Sequence, residues 1–188
     1  MKRLCLFISL AASFCLPLSA DAEETRVVTV PQVDLLRYLG RWYEIGSFPL
    51  FFQRKCIGDT TAEYSLQQDG QIGVKNRCRT EDGYIEASGR AKVVPESGNA
   101  RLKVTFFWPF YGDYWIIGLD DQYRWALVGN PDRKYLWILS RTPVLPEAEL
   151  QKAKAKALEQ GFDLTRLRWT KHATENGTKG IKDNSFLN

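Results

Sequence analysis

From Trp42 onward, apolar and polar positions alternate in short runs, and each run is closed by residues that turn the chain. The runs are Trp42–Phe48, Thr60–Gln67, Gln71–Arg79, Tyr84–Val94, Arg101–Phe107, Asp113–Leu119, Tyr123–Gly129 and Tyr135–Arg141. Asp69-Gly70, Asp82-Gly83, Ser97-Gly98-Asn99, Asp120-Asp121 and Asn130-Pro131-Asp132 separate them. Eight short strands with such turns, and no helix between them, predict an all-β antiparallel barrel or sandwich. One helix follows. Pro143 and Pro146 precede it, Glu147 and Glu149 suit its first turn, and Gly161 suits its end. Leu150, Ala153, Ala157 and Leu158 are its expected apolar face, laid against the outside of the sheet. A short last strand is expected over Leu164–Thr170.

Strand parity assigns the faces, because successive side chains point to opposite sides of a sheet. Leu102, Val104 and Phe106 alternate with Arg101, Lys103 and Thr105; Ala62 and Tyr64 flank Glu63; Val74 and Asn76 flank Lys75. The same rule turns Tyr123, Trp125 and Leu127 inward against Arg124. The run from Tyr135 to Leu139 is apolar on both faces, as expected beneath a helix. Leu136 and Ile138 then meet the helix while Tyr135 and Trp137 face in. The inferred inner lining is Ala62, Tyr64, Val74, Asn76, Leu102, Val104, Phe106, Tyr114, Ile116, Trp125, Tyr135 and Trp137. An apolar, aromatic lining with a few polar handles suits an acyl chain or similar ligand; the same aromatics would also suffice to fill the space.

The N-terminus changes which residues count toward the fold. Lys2 and Arg3, the apolar stretch Leu4–Leu18 and the small-x-small site Ala20-Asp21-Ala22 form an export signal, so residues 1–22 are set aside. The stretch is short for a membrane span, which needs about 20 apolar residues. Phe14 before Cys15 makes a poor lipobox, which favours soluble export over a lipid anchor. Residues 23–173 then form one domain, and 174–188 a loose polar tail. The formal charge of +4 is modest and its basic residues are dispersed, giving no footprint for nucleic acid. Cys56 and Cys78 remain after the signal is removed, either as a disulfide suited to an oxidising compartment or as two separate buried thiols.

Little in the sequence points to catalysis. His172 is the only histidine and lies near the tail, so no Ser-His-Asp or Cys-His device has a candidate base in the barrel. No cysteine, histidine and carboxylate spacing suits a metal, no glycine-rich loop suits a phosphate or dinucleotide, and no cofactor is expected.

Gly40-Arg41-Trp42-Tyr43-Glu44 resembles the Gly-x-Trp signature at the first strand of lipocalins. Leu119-Asp120-Asp121-Gln122-Tyr123 partly resembles their second signature, and Ser140-Arg141 their third. Together with Phe110-Tyr111-Gly112 and Pro131-Asp132-Arg133, the chain from Val33 to Lys171 is similar to the bacterial and apolipoprotein D-like branch of that family. The resemblance implies an eight-stranded up-and-down barrel with one external helix, and non-catalytic carriage or storage of a fatty acid or lysophospholipid in the bacterial cell envelope. The chain is expected in the periplasm or against the outer membrane, as a monomer or weak homodimer. In this topology Trp42 and Arg141 fall at the same rim, where with Gly40 they form a structural floor, the guanidinium over the indole. The opposite, open rim receives Phe51 and Phe52 on one loop and Trp108 and Phe110 on another, an apolar mouth suited to membrane contact or to a self-packed lid. Arg54, Lys55, Arg79, Arg133 and Lys134 fall near it and are candidates for an anionic headgroup. Two other functions fit the same residues: a protein-binding module working through the mouth loops, or an enzymatic lipocalin with Cys56 or Cys78 as nucleophile.

Overall fold

The computed structural model describes residues 26–173; the expected export leader and polar tail lie outside the described residues. Eight strands form the wall: β1 Gly40–Ser47, β2 Gly58–Leu66, β3 Ile72–Thr80, β4 Gly83–Val93, β5 Arg101–Phe107, β6 Phe110–Leu119, β7 Trp125–Gly129 and β8 Leu136–Ser140. Each pairs antiparallel with the next, and β1 pairs with both β8 and β2, so the sheet closes into an up-and-down barrel. A barrel leaves no free sheet edge, which removes the usual route to edge-to-edge aggregation. The expected eight strands are therefore present. The β5–β6 hairpin is tighter than expected, with β6 starting at Phe110 and the cis Trp108–Pro109 peptide at its tip.

A short helix not expected from the sequence, α1 (Leu35–Tyr38), plugs the closed end. The Asp34 carboxylate caps it by accepting the backbone N–H groups of Leu36 and Arg37 at 2.9 and 3.2 Å. Val33, Tyr38 and Trp42 pack there with Ile72, Leu102, Ile116 and Val128 into the inner core. Gly98 is held at φ +58° with its α-carbon against the Pro31 carbonyl, and a side chain there would collide with it.

The second helix, α2 (Glu147–Glu159), lies outside β6 and β7. Ala153 and Ala157 are fully buried, and their small side chains let the helix approach Gly118 and Leu127 closely. Leu136 and Ile138 pack in this outer core with Phe48, Ile117, Leu127 and Phe162, as parity expects. Leu158 departs from expectation: it is 59% exposed, and the buried stripe runs instead through Glu149, Ala153, Ala157 and Gln160.

Parity fails in β7. Ala126 and Val128 face the barrel interior, while Trp125 and Leu127 pack beneath α2. Tyr123 adopts the left-handed conformation (φ +59°) within the turn, so the alternation does not run back through it from the strand. Trp125 is thus a support for the helix and no part of the inner lining. Its indole Nε1–H donates to Glu149 Oε2 at 2.8 Å, giving a buried polar group its partner.

A last strand, β9 (Arg168–Trp169), is shorter than expected but has a distinct place. β1 pairs with β2 only over Gly40–Tyr43, toward the closed end. Farther up, Gly46 and Ser47 pair with β9 instead. The chain continues through the gap: Thr170 N–H donates to the Ile45 carbonyl, and Asp59 N–H donates to the Lys171 carbonyl at 2.8 Å. Residues 168–173 therefore act as a strap that completes the wall between β1 and β2.

Candidate ligand chamber

The barrel contains a chamber of about 250 Å³ that opens at the mouth. Ala62, Tyr64, Val74, Asn76, Val104, Phe106, Tyr114, Tyr135 and Trp137 line it, each projected inward by the period-two pattern of its strand. Leu102 and Ile116 also face in but lie lower. Leu102 borders a separate void of about 10 Å³, and Ile116 is fully packed. There α1 and Trp42 fill the barrel, so the open space occupies only its upper part.

The floor is held by hydrogen bonds as well as packing. The Arg141 guanidinium carbon lies 3.8 Å from the Trp42 ring centroid. Its Nη1 and Nη2 donate to the carbonyls of Arg41 and Arg37 at 2.9 and 2.6 Å. The Trp42 indole donates to the Tyr38 carbonyl at 2.8 Å. Gly40, at φ +87°, brings the backbone past this guanidinium. Above the indole, the Tyr114 hydroxyl bridges those of Tyr38 and Tyr64 at 2.8 Å each. Burial pushes the Tyr64 phenol up to about 12 and the other two well above their ordinary value, so all three stay neutral.

Sequence reasoning missed the most consequential lining residue, Glu44. It shares the inward parity of Trp42 two residues earlier, and it is buried at the chamber wall. Its Oε2 accepts Gln53 Nε2–H at 3.3 Å and its Oε1 accepts the Thr170 hydroxyl at 2.5 Å. Burial raises its pKa, with the donors from Thr170, Gln53 and Ser47 opposing the rise. Gln53, Thr60, Thr61 and Leu139 also join the lining. Asp113 borders it with its carboxylate turned to Lys103 at 2.7 Å. The Asn76 carbonyl oxygen is buried without a hydrogen-bond partner.

At the mouth, Phe52 reaches the chamber while Phe51 packs edge-on against it. Trp108 is 78% exposed, and Phe107 stacks on Phe110 with both rings largely in solvent. Tyr135 stacks on Trp137 with centroids 5.8 Å apart.

Of the basic residues expected at the mouth, Arg54, Arg79, Arg133 and Lys134 are committed elsewhere. Arg79 Nε lies 2.6 Å from Asp59 Oδ2, Lys134 pairs with Asp132, and Arg133 donates to the Gln160 carbonyl at the end of α2. Arg54 donates to the Phe51 carbonyl. Burial works to raise the Asp59 pKa, but the Ala173 backbone N–H and Arg79 outweigh it and hold the carboxyl below its usual range.

Cys56 and Cys78 form a disulfide with Cα atoms 5.6 Å apart, tying the first loop to β3. With their sulfurs joined, neither Cys56 nor Cys78 is the free thiol that an enzymatic lipocalin using them would need. His172 lies in the strap, its Nε2 2.7 Å from the Glu44 carbonyl oxygen and its ring edge-on to Tyr43. Among the described residues, no cluster of histidine, cysteine and carboxylate side chains is arranged to hold a metal, and no helix is long and apolar enough to cross a membrane.

Residues 33–172 match the family described as a lipocalin-like domain. Outer membrane lipoprotein Blc of Citrobacter freundii is 42% identical over 163 residues, covering 86% of this chain and 92% of that protein. Temperature-induced lipocalin-1 of Arabidopsis thaliana is 42% identical over 157 residues, covering 79% of this chain and 84% of that protein. In three dimensions, insecticyanin from the tobacco hornworm Manduca sexta superposes with a TM-score of 0.65 at 21% identity, over 78% of this chain and 85% of that one, a likeness of fold. Signature, full-length relatives and barrel agree: this chain belongs to the lipocalin family.

Proposed function

We propose that this lipocalin binds and carries, or stores, a lipid-like amphiphile in the bacterial cell envelope without transforming it. The observation that carries the reading is the chamber itself, closed below by Trp42 and Arg141, lined by apolar and aromatic side chains and open through an apolar mouth. Its volume lies just below the span usual for small-molecule pockets, about 300–1,000 Å³. That favours one acyl chain, as in a fatty acid or lysophospholipid, over a two-chain lipid. The bacterial relative is named an outer membrane lipoprotein, which supports an envelope location. The exposed rings at the mouth suit contact with a membrane surface during loading or release.

Native mass spectrometry of protein purified from the envelope, followed by lipid extraction, tests this. One bound amphiphile per chain is expected, weakened at least about tenfold by Trp137→Ala or Phe106→Ala, the loss of well over 1 kcal/mol of aromatic contact. A protein that comes out empty, and whose tryptophan fluorescence does not respond to single-chain lipids, would remove the reading.

A further inference from the structure

We propose that the chamber selects amphiphiles whose buried head donates hydrogen bonds, an ammonium above all, and that Glu44 discriminates against the carboxylate of a fatty acid. The inference rests on the chamber holding an amphiphile and names the chemistry of its polar end.

Three observations point the same way. Among the described residues lining the chamber there is no lysine or arginine to neutralise an anion. The rim cations Arg79 and Lys134 are already paired with Asp59 and Asp132. Second, the chamber's polar wall is rich in acceptors, one of them the buried Asn76 oxygen with no donor. A carboxylate offers about four lone-pair sites. Gln53, Thr170 and Ser47 donate to Glu44 and His172 lies near it, while none of them is a lysine or arginine and the carboxylate still borders the chamber. Third, the rings of Phe52, Phe106, Tyr135 and Trp137 border the same space, and aromatic faces attract a cation.

The sign of the charge decides the preference. A carboxylate and an ammonium at the end of the same chain both lose water on entering an apolar chamber, at a cost of several kcal/mol each. Beside Glu44 the ammonium recovers this through an opposite charge and charge-assisted hydrogen bonds, whereas the carboxylate meets a like charge in a medium that screens poorly. Burial already raises the Glu44 pKa, as expected of a carboxyl to which the fold supplies no lysine or arginine partner.

The test compares laurylammonium, lauryl alcohol and laurate binding to the delipidated mature protein and to Glu44→Gln, followed by tryptophan fluorescence at neutral pH. In the unsubstituted protein, laurylammonium is expected to bind at least about tenfold more tightly than laurate, the size of one charge-assisted hydrogen bond. In Glu44→Gln that ratio falls to within about twofold, and lauryl alcohol still binds, which reports an open chamber. Laurate binding as tightly as laurylammonium to the unsubstituted protein would overturn the inference whatever the variant does. A ratio that survives Glu44→Gln would overturn the role of Glu44. Lauryl alcohol bound without any preference for the ammonium would sink the selectivity but leave the carrier reading standing. Binding of none of the three would sink both.

Discussion

Glu44 sits where a charge is expensive, on the inner wall of a barrel, beside the strap and beneath the first loop. Its raised pKa couples the stability of the fold to pH. The folded state holds the proton more tightly than the unfolded chain, so between the unfolded value, about 4.3, and the raised folded one, unfolding releases protons. Stability from this group is therefore full at low pH, falls as pH rises through that window and levels off above the folded pKa. Glu44→Gln removes the dependence. Urea unfolding from acid to neutral pH is expected to show the unsubstituted protein losing ground to Glu44→Gln as pH rises; a difference moving the other way would mean that the fold stabilises the carboxylate. Taking the difference between the two proteins cancels the contribution of groups that do not interact with Glu44. Glu44 was within reach of the sequence, since the rule that turns Trp42 inward turns Glu44 inward too. A charged residue at that parity was hidden because the surrounding Gly-x-Trp pattern reads as a floor signature.

At the scale of elements, the eight strands and the outer helix were legible because alternation and turn residues are local signals. What escaped depends on distant partners. Trp125 faces outward because Glu149, on α2, supplies its acceptor. β9 matters because it meets β1 more than 120 residues earlier. The α1 plug is four residues long, too short to show a helical period, and only Asp34 as a cap announces it. The disulfide belongs to this scale as well, since it closes a 22-residue separation between the first loop and β3. Replacing Cys56 and Cys78 by serine together is expected to lower unfolding free energy by about 2–4 kcal/mol through the greater freedom of the unfolded loop. Denaturant titration at fixed pH checks this; an unchanged midpoint would mean that the loop is held by other contacts, Gln53 on Glu44 among them.

For the whole molecule, the chamber and the mouth are separable. Phe107, Trp108 and Phe110 at the β5–β6 tip are largely exposed, and Phe106 and Trp137 line the interior. Replacing Trp108 and Phe110 together by serine is therefore expected to reduce partitioning onto lipid vesicles at least about tenfold, the apolar area of two rings removed from the contact, while affinity for a soluble single-chain ligand stays within about twofold. Vesicle sedimentation and ligand titration on the same variant separate the two. Loss of both together would make the mouth part of the ligand site.

The strap gives the barrel a particular order of completion. Gly46 and Ser47 belong to the first strand of the barrel to leave the ribosome, and the residues that seal the wall beside them, Arg168 to Ala173, follow all eight wall strands. An incomplete chain, however many of its strands have paired, still has a lateral opening beside Glu44. Pairings this distant in sequence are slow to form, so the container becomes leak-tight only when the strap arrives.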